Sequence, residues 1–443
     1  MNAREVALAV LRDVFPVEQP AIDRSAQESL DYRIRKSTLS DRDRAFATEL
    51  AYGSIKMRRA LDWYLRPYTG ARDKPLPPTI AEILRLGVYE FAYTSAHEHA
   101  TTNELVNLAK RYGHRGTAGV VNAVLRSFLR DKPGPPQRED FENEDEYLGV
   151  KYSFPTWVVR QWRACFGDER IEAILDASNA PAQSAVAINP AKTTLDAVGA
   201  WFVERGTTAV ASEFARDSLL VGDASLARSG ERDAAGAWWV QSESSAMPVD
   251  ILNPQPGEAI LDVCSGRGNK ALQSAGRLGG EGSLTCIERD VRRSSTLERR
   301  LTDAGFSATI VTGDATELDL DRRFDRLLVD APCSGIGVMG RHPEARWRKR
   351  ADDGERLAQT QRALLDALTP RLYDGGSLVY AVCSTDPKET TEVVEWLLQT
   401  HNVQRGLIPA NYEPLQTVDG DVLVPPGLGG RDGFFIARLE RRA

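Results

Sequence analysis

The stretch AILDVCSGRGNK, residues 259–270, decides the fold class of this chain. Its first five residues predict a buried strand, and the small and polar residues after them predict a tight turn into a helix at 271–277. Glycines in such a turn let a ligand approach the backbone, and the N–H groups at the helix start favour a carboxylate or a phosphate. The unit therefore predicts a parallel α/β sheet with a ligand at the carboxyl ends of its strands.

Acidic residues end the next two predicted strands. Glu288 comes 20 positions after Gly268 and is suited to binding ribose hydroxyls. Asp314 follows the strand predicted at 308–311, where a nucleoside-binding methyltransferase contacts the adenine amine. The loop also fits G-x-G-x-x-A, so a nicotinamide oxidoreductase is an alternative. We expect S-adenosylmethionine (SAM), because hydride transfer has no use for the two thiols described next.

Two cysteines follow two further predicted strands. Cys333 lies in DAPCSG, residues 330–335, and Cys383 lies in YAVCSTDP, residues 380–387. Because the carboxyl ends of parallel strands meet at one edge of a sheet, we expect both thiols at the ligand site. A thiolate is a strong nucleophile, and a neighbouring thiol can act as a base. The pair indicates covalent catalysis, the alternative being two buried cysteines that only pack in a core.

Composition limits the possible functions. With 443 residues, the chain is too long for one core and indicates two or three domains. The net charge of −7 argues against a general nucleic-acid surface, but residues 322–350 carry eight basic and three acidic side chains. That local excess is either a solvated face or a contact with phosphates.

The cysteines and histidines indicate neither disulfides nor a metal. The five cysteines form no CxxC pair, and the five histidines are scattered along the chain. The amphipathic start with its acidic residues does not resemble a signal peptide, and no run of 18 apolar residues occurs. We therefore expect a cytoplasmic protein without a metal or a membrane partner, and a monomer.

Three segments differ in pattern. Residues 1–134 have apolar residues at helical spacing and predict an all-helical domain. Residues 135–236 open with a Pro-, Gly- and acid-rich linker and predict a small α+β subdomain. Residues 237–443 alternate apolar runs with helical segments, which predicts a Rossmann-like, doubly wound α/β domain. Its strands are expected at 259–263, 283–287, 308–311, 325–329, 376–382 and 433–439.

Several motifs together resemble a known family. Residues 325–338 and 341–344, with Trp347, resemble the fourth motif of the Nop/Sun family of RNA cytosine-carbon-5 methyltransferases. Residues 380–387 resemble its sixth motif and 432–437 its last strand. The runs 43–46, 49–53, 83–87 and 121–126 look like the NusB-type RNA-binding domain. That fusion is typical of bacterial methyltransferases of small-subunit ribosomal RNA. The resemblance implies a SAM-dependent methyltransferase domain that follows a NusB-like domain and a small RNA-binding subdomain.

The resemblance also implies roles for individual residues. Cys383 would attack carbon 6 of the cytosine, Cys333 would assist release, and Asp330 would hold or protonate ring nitrogen 3. The implied cofactor contacts are Cys264, Ser265, Gly266, Arg267, Gly268, Lys270, Glu288, Arg293, Asp314 and Asp330. The implied RNA contacts are Arg341, His342, Arg346, Arg348 and Lys349. Lys270 is expected either to neutralise the cofactor carboxylate or to cap the turn.

The chain departs from the family pattern at the cofactor loop. Arg267-Gly268-Asn269-Lys270 stands where the family usually has Pro-Gly-Gly-Lys. Because asparagine tolerates positive φ better than most residues, we expect Asn269 to preserve the turn. Ala187 and Thr390-Thr391 differ from the family pattern as well. These departures leave open a non-catalytic RNA-binding or ribosome-assembly protein with a degenerate SAM loop.

Overall fold

A computed structural model describes residues 1–16, 24–70, 75–95, 97–231, 234–318 and 320–443. The chain divides into two compact units. The first consists of Met1–Ala164 and His342–Arg348, and the second of Cys165–Arg341 and Lys349–Ala443. No helix among the described residues is both long and apolar enough to cross a membrane.

The first unit is helical, as the spacing of its apolar residues predicts. Asn2 and Ser25 begin the first two helices as capping boxes with Glu5 and Glu28. The apolar faces of the helices form one core that includes Leu8, Leu50 and other fully buried residues. Its helices are α1 (Ala3–Val14), α2 (Ala26–Arg35), α3 (Asp41–Lys56), α4 (Arg58–Thr69), α5 (Pro78–Tyr93), α6 (Glu98–Tyr112), α7 (Arg115–Asp131) and α8 (Glu144–Lys151), with α9 (Thr156–Phe166) following.

The second unit begins with a small α+β layer. Its four-stranded antiparallel sheet has the order β2-β3-β1-β4. The elements are α10 (Asp168–Ala177), β1 (Ser184–Ile188), α11 (Leu195–Val203), β2 (Ala209–Ala211), β3 (Ser218–Val221), α12 (Ala224–Gly230) and β4 (Trp238–Val240). The sequence predicts that this subdomain ends at residue 236. However, β4, which begins after that residue, is the edge strand of its sheet. Trp238 packs in the core of the small layer and Trp239 in the core of the large sheet that follows.

Among the residues that the structure describes, the large sheet has eight strands in the order β10-β12-β9-β8-β5-β6-β7, with β11 paired to β12. Strands β5 to β9 are parallel, and β12 runs antiparallel to β9. The strands are β5 (Ala259–Val263), β6 (Ser283–Glu288), β7 (Thr309–Thr312), β8 (Phe324–Asp330), β9 (Leu372–Val382), β10 (Val403–Arg405), β11 (Val422–Val424) and β12 (Phe434–Arg441). The helices of this region are α13 (Glu243–Leu252), α14 (Asn269–Leu278), α15 (Val291–Asp303), α17 (Asp353–Leu368) and α18 (Thr391–Thr400), while the short helix α16 (Ala345–Arg348) belongs to the first unit. The predicted Rossmann-like fold is confirmed.

The strand order fixes where a ligand site can form. From β5 the chain adds β6 and β7 on one side, and then β8 and β9 on the other. The order therefore reverses between β5 and β8, and sheets of this type bind ligands in the crevice at the carboxyl ends beside that reversal. The loop 264–268, Asp330 and the residues after Val382 all leave the sheet at this edge.

Candidate active site

The two thiols meet at the ligand edge of the large sheet. The sulfur atoms of Cys333 and Cys383 are 3.3 Å apart, and both side chains are half-buried. Ala331 continues the pairing of β8 with β9 by donating its N–H to the Ala381 carbonyl, 3.0 Å away. The hydrogen bond with Cys383, followed by burial, raises the pKa of Cys333 well above its usual range. Cys333 therefore stays protonated at neutral pH while the two sulfurs are in contact.

Asp330 is held by an ion pair at the end of β8. Lys270 Nζ lies 2.7 Å from Asp330 Oδ2 and 3.1 Å from the Ser245 hydroxyl. The Lys270 side chain is 9% exposed and that of Asp330 is 31% exposed, so the aspartate is the more accessible partner. The structure therefore assigns Lys270 a third role, which is to orient Asp330. Ser245, on α13, could not be identified from the sequence, because the only feature that marks it is that its helix packs against the site.

A second aspartate lies beneath the loop. Asp262, on β5, is completely buried. Burial, and then the negative charge of Asp330, raise its pKa to about 8. The carboxyl group is therefore mostly protonated at neutral pH, and it adds little negative charge beneath the site.

The cofactor loop takes its turn at Cys264, Gly266 and Gly268, all of which have positive φ. A Cβ on Gly268 would lie 2.5 Å from a methyl group of Leu297, whereas one on Gly266 would meet nothing nearer than 3.9 Å. The loop therefore packs against Leu297 at Gly268 and leaves open space at Gly266, which is the arrangement that a ligand-binding loop requires. Burial raises the pKa of the Cys264 thiol to about 12, so this cysteine is not a nucleophile here.

Asn269 does not preserve the turn in the expected way. It opens α14 and does not have positive φ, so the expectation for its backbone is corrected. Its side chain instead accepts a hydrogen bond from Arg300 at 2.6 Å and donates to the Val240 carbonyl at 3.3 Å. Arg300 also donates to the carbonyl of Arg267 at 2.8 Å. The unusual loop is therefore braced from α15 by the side chain of Arg300.

The acidic residues predicted for the nucleoside lie at the same edge. Glu288 Oε2 accepts the N–H of Gly266 at 2.7 Å, and its Oε1 accepts that of Asp290 at 2.8 Å. The two backbone bonds orient this carboxylate beside the loop. Hydrogen bonds from Thr316 lower the pKa of Asp314, so Asp314 is a charged acceptor at neutral pH. An open loop flanked by two fixed carboxylates fits a nucleoside.

Other predicted contacts lie at the margins of the site. Arg293 is exposed in the first turn of α15. Ser265 is buried, and its hydroxyl donates to the Asp262 carbonyl at 2.9 Å, so its side chain supports the loop from within. Arg267 is exposed on the loop. No group of three or more His, Cys, Asp or Glu side chains among the described residues is arranged to hold a metal ion.

The predicted RNA contacts separate into two groups. Arg346 is 1% exposed, and it donates to the carbonyls of Lys56 and Ser153 within the first unit at 3.3 and 3.2 Å. Arg348 donates to the carbonyls of Val14 and Arg24 in the same unit, at 2.9 and 2.8 Å. Both guanidinium groups hold the segment His342–Arg348 within the first unit. Because Arg346 is buried, the expectation that it contacts RNA is corrected, whereas Arg348 is half-buried and its contact with RNA stays a prediction.

The remaining basic residues are more accessible. His342 is exposed, and Lys349 is half-buried. Arg341, in the second unit, forms an ion pair with Asp432 at 3.1 Å and keeps about a third of its side chain exposed. Arg341, His342 and Lys349 stay candidates for contacts with phosphates.

Comparisons with known proteins agree with this architecture. Three family models match: the NusB family at residues 1–130, an RsmF/B-like ferredoxin-like domain at 154–225, and 16S rRNA methyltransferase RsmB/F at 249–440. A solved structure described as PH0851 matches with a TM-score of 0.82 at 22% identity, covering 100% of this chain and 99% of its own. That similarity supports the fold.

Two curated relatives match over the full chain. The "Probable ribosomal RNA small subunit methyltransferase B" of Synechocystis sp. is 32% identical, with 100% of both chains covered. The "Ribosomal RNA small subunit methyltransferase B" of Pseudomonas putida is 31% identical, with 100% of this chain and 99% of the relative covered. This chain therefore belongs to the ribosomal RNA small subunit methyltransferase B family.

Proposed function

We propose that this protein transfers a methyl group from SAM to carbon 5 of a cytidine in small-subunit ribosomal RNA, through a covalent adduct with Cys383. The observation that carries the proposal is the contact between the Cys333 and Cys383 sulfurs, 3.3 Å apart beside Asp330. Membership of the family favours SAM over the nicotinamide interpretation of the loop. When bound, SAM supplies an electrophilic methyl group.

The chemistry explains why a nucleophile is needed. Carbon 5 of cytosine is a weak nucleophile because its electrons belong to an aromatic ring. A bond from Cys383 Sγ to carbon 6 moves the electron pair of the 5,6 double bond to carbon 5, which can then accept the methyl group. When the carbon-5 proton is removed, the electron pair of that carbon–hydrogen bond re-forms the 5,6 double bond, and the sulfur–carbon bond breaks with its pair on Cys383 Sγ. The enzyme is thereby restored and the product is 5-methylcytidine.

The positions of the three catalytic groups fit these steps. Cys333 keeps its proton while it contacts Cys383, which leaves Cys383 as the sulfur that can act as the nucleophile. Asp330 leaves the sheet beside the thiols, and as a carboxylic acid it can donate its proton to ring nitrogen 3, where negative charge develops on addition, and take the proton back on elimination. Lys270 fixes the direction of that carboxyl group. After Cys383 has bonded to carbon 6, Cys333 can release its own proton to water and take the proton from carbon 5.

The target base has to leave its stack to reach the thiols. That step costs a few kcal/mol, and less in a loop than in a duplex. Contacts of Arg341, His342 and Lys349 with the RNA backbone would offset part of this cost. Binding should therefore weaken with rising salt, with a slope that reports the number of phosphates contacted.

The decisive experiment uses cysteine variants, labelled SAM and deproteinised, unmodified small-subunit rRNA. Cys383→Ser should abolish methyl transfer with SAM binding intact, because a hydroxyl at neutral pH is a far weaker nucleophile than a thiolate. Cys333→Ala should accumulate a covalent, RNase-sensitive protein–RNA species, because the carbon-5 proton is no longer removed. Cys286→Ala, in the buried core of β6, is the matched control and should methylate normally.

The outcomes separate the alternatives. Label recovered in 5-methylcytidine supports the reaction and the substrate class together. Turnover by the Cys383→Ser variant would refute the assignment of the nucleophile. SAM binding without transfer to this RNA or to assembling small subunits would instead favour a non-catalytic RNA-binding or assembly protein.

A further inference from the structure

A completely buried carboxylate lies next to the thiol pair. Glu389, at the end of the turn Pro387–Glu389, has no exposed surface. Its Oε1 accepts the N–H of Ser334 at 2.8 Å and the side-chain amide of Gln361 at 3.1 Å. Its Oε2 accepts the hydroxyl of Ser384 at 2.6 Å and that of Ser334. Four donors thus converge on one carboxylate.

The partners of Glu389 are the residues that follow the two thiols. Ser334 comes directly after Cys333, and Ser384 directly after Cys383. Their hydroxyls also lie 3.0 Å from each other. A single carboxylate therefore joins the loop that leaves β8 to the loop that leaves β9, at the two positions next to the sulfurs.

The glutamate is itself fixed from the other side. Tyr380, on β9, donates its hydroxyl to the Glu389 carbonyl at 2.6 Å, and to the Gln361 side-chain oxygen at 3.0 Å. Both Tyr380 and Gln361 are completely buried. A buried charge is tolerated only when its hydrogen-bonding capacity is satisfied, and here the network satisfies it. A purely structural link between the two loops would not require the negative charge of the Glu389 side chain.

We propose that Glu389 is a positioning residue for the methyl transfer: it sets the separation of Cys333 and Cys383, and its negative charge disfavours a second negative charge on Cys333. The inference rests on the proposed function for its link to catalysis. Its electrostatic part concerns the thiols alone and can be tested without RNA. The negative charge of Glu389 is also among the causes that raise the pKa of Cys333.

The test measures the alkylation of the site thiols by iodoacetamide as a function of pH, with mass spectrometry to locate the modified cysteine. Glu389→Gln keeps the shape of the side chain and removes its charge. Because a nearby negative charge opposes thiolate formation, the alkylation midpoint of Cys333 should move to lower pH in this variant. Glu392→Gln, on the exposed face of α18, is the matched control and should leave the midpoint unchanged.

Methylation kinetics test the positioning part. In Glu389→Gln, kcat should fall at least about tenfold with KM for SAM unchanged, because the altered thiol geometry affects the reacting state and not cofactor binding. Ser384→Ala removes one hydrogen bond and keeps the charge. It should lower kcat without moving the alkylation midpoint, and it serves as the second variant if Glu389→Gln does not fold.

The results distinguish this inference from the proposed function. An unchanged alkylation midpoint in Glu389→Gln would overturn the electrostatic role, whether or not the wild-type protein methylates cytidine. An unchanged kcat in both variants would overturn the positioning role. If Glu389→Gln shifts the alkylation midpoint but the wild-type protein methylates no cytidine, the control of thiol ionisation by Glu389 is supported. Only the reaction assigned to the site is then refuted.

Discussion

Replacing Asp262 by asparagine should stabilise the second unit, and the gain should grow with pH. Asp262 is completely buried on β5, and burial and then the charge of Asp330 raise its pKa from 3.8 to about 8. Asparagine has nearly the same shape and does not titrate. The substitution therefore removes the cost of protonating this buried acid on folding, and it leaves the packing of the strand almost unchanged.

The sign and size follow from proton linkage. Between pH 4 and pH 8 the folded protein keeps a proton on Asp262 that the unfolded chain has lost, so the wild type loses stability as pH rises. The slope is about 1.4 kcal/mol per pH unit while the group is protonated only in the folded state. From pH 5 to pH 7 the advantage of Asp262→Asn should therefore grow by about 3 kcal/mol. Above pH 8 it should stay constant.

Amide hydrogen exchange of β5 measures this difference directly. Comparing variant and wild type at the same pH cancels the chemical exchange rate, so the ratio of their exchange rates reports the stability difference. That ratio should change by about 100-fold between pH 5 and pH 7. Asp303→Asn, at the exposed end of α15, should show a constant ratio. A constant ratio for Asp262→Asn as well would mean that Lys270 keeps Asp262 ionised, and the reasoning would be wrong.

Two further substitutions test the loops around the site. A Cβ on Gly337 would lie 2.1 Å from the Gly433 carbonyl oxygen, so Gly337→Ala should lower stability by at least about 2 kcal/mol in calorimetry, whereas Gly199→Ala, which meets nothing in α11, should stabilise slightly. Arg300→Gln should weaken SAM binding several-fold in titration calorimetry, because the loop loses its brace at Asn269, while a melting temperature lowered in step would indicate a general loss of folding.

The sequence alone was sufficient to predict the large sheet and the proximity of the two thiols. Continuous apolar runs mark buried parallel strands, so the six predicted strands correspond to β5 to β9 and β12. Cys333 and Cys383 follow neighbouring strands, and their proximity is a consequence of that order. Strands β10 and β11 were not predicted, because three residues each are too few to show a period.

The sequence could not show which residues contact each other in the folded chain. The basic run at 341–350 has the charge of an RNA surface. However, the guanidinium groups of Arg346 and Arg348 donate hydrogen bonds to backbone carbonyls that lie 193 and 334 positions away in the sequence. Lys270 is paired with Asp330, 60 positions on. Glu389 was overlooked because one acidic residue at a helix start usually marks only a cap. Its burial, which the sequence does not reveal, distinguishes it.

The contact between the thiols also suggests how their roles are timed in the proposed reaction. The largest cause of the raised pKa of Cys333 is its hydrogen bond with Cys383. When Cys383 Sγ bonds to carbon 6, that sulfur loses its charge and its capacity to hold the shared proton, so the pKa of Cys333 should fall. Cys333 can then lose its proton to water and accept the one from carbon 5. The same 3.3 Å contact that keeps Cys333 protonated before addition therefore makes it a base only after the adduct has formed.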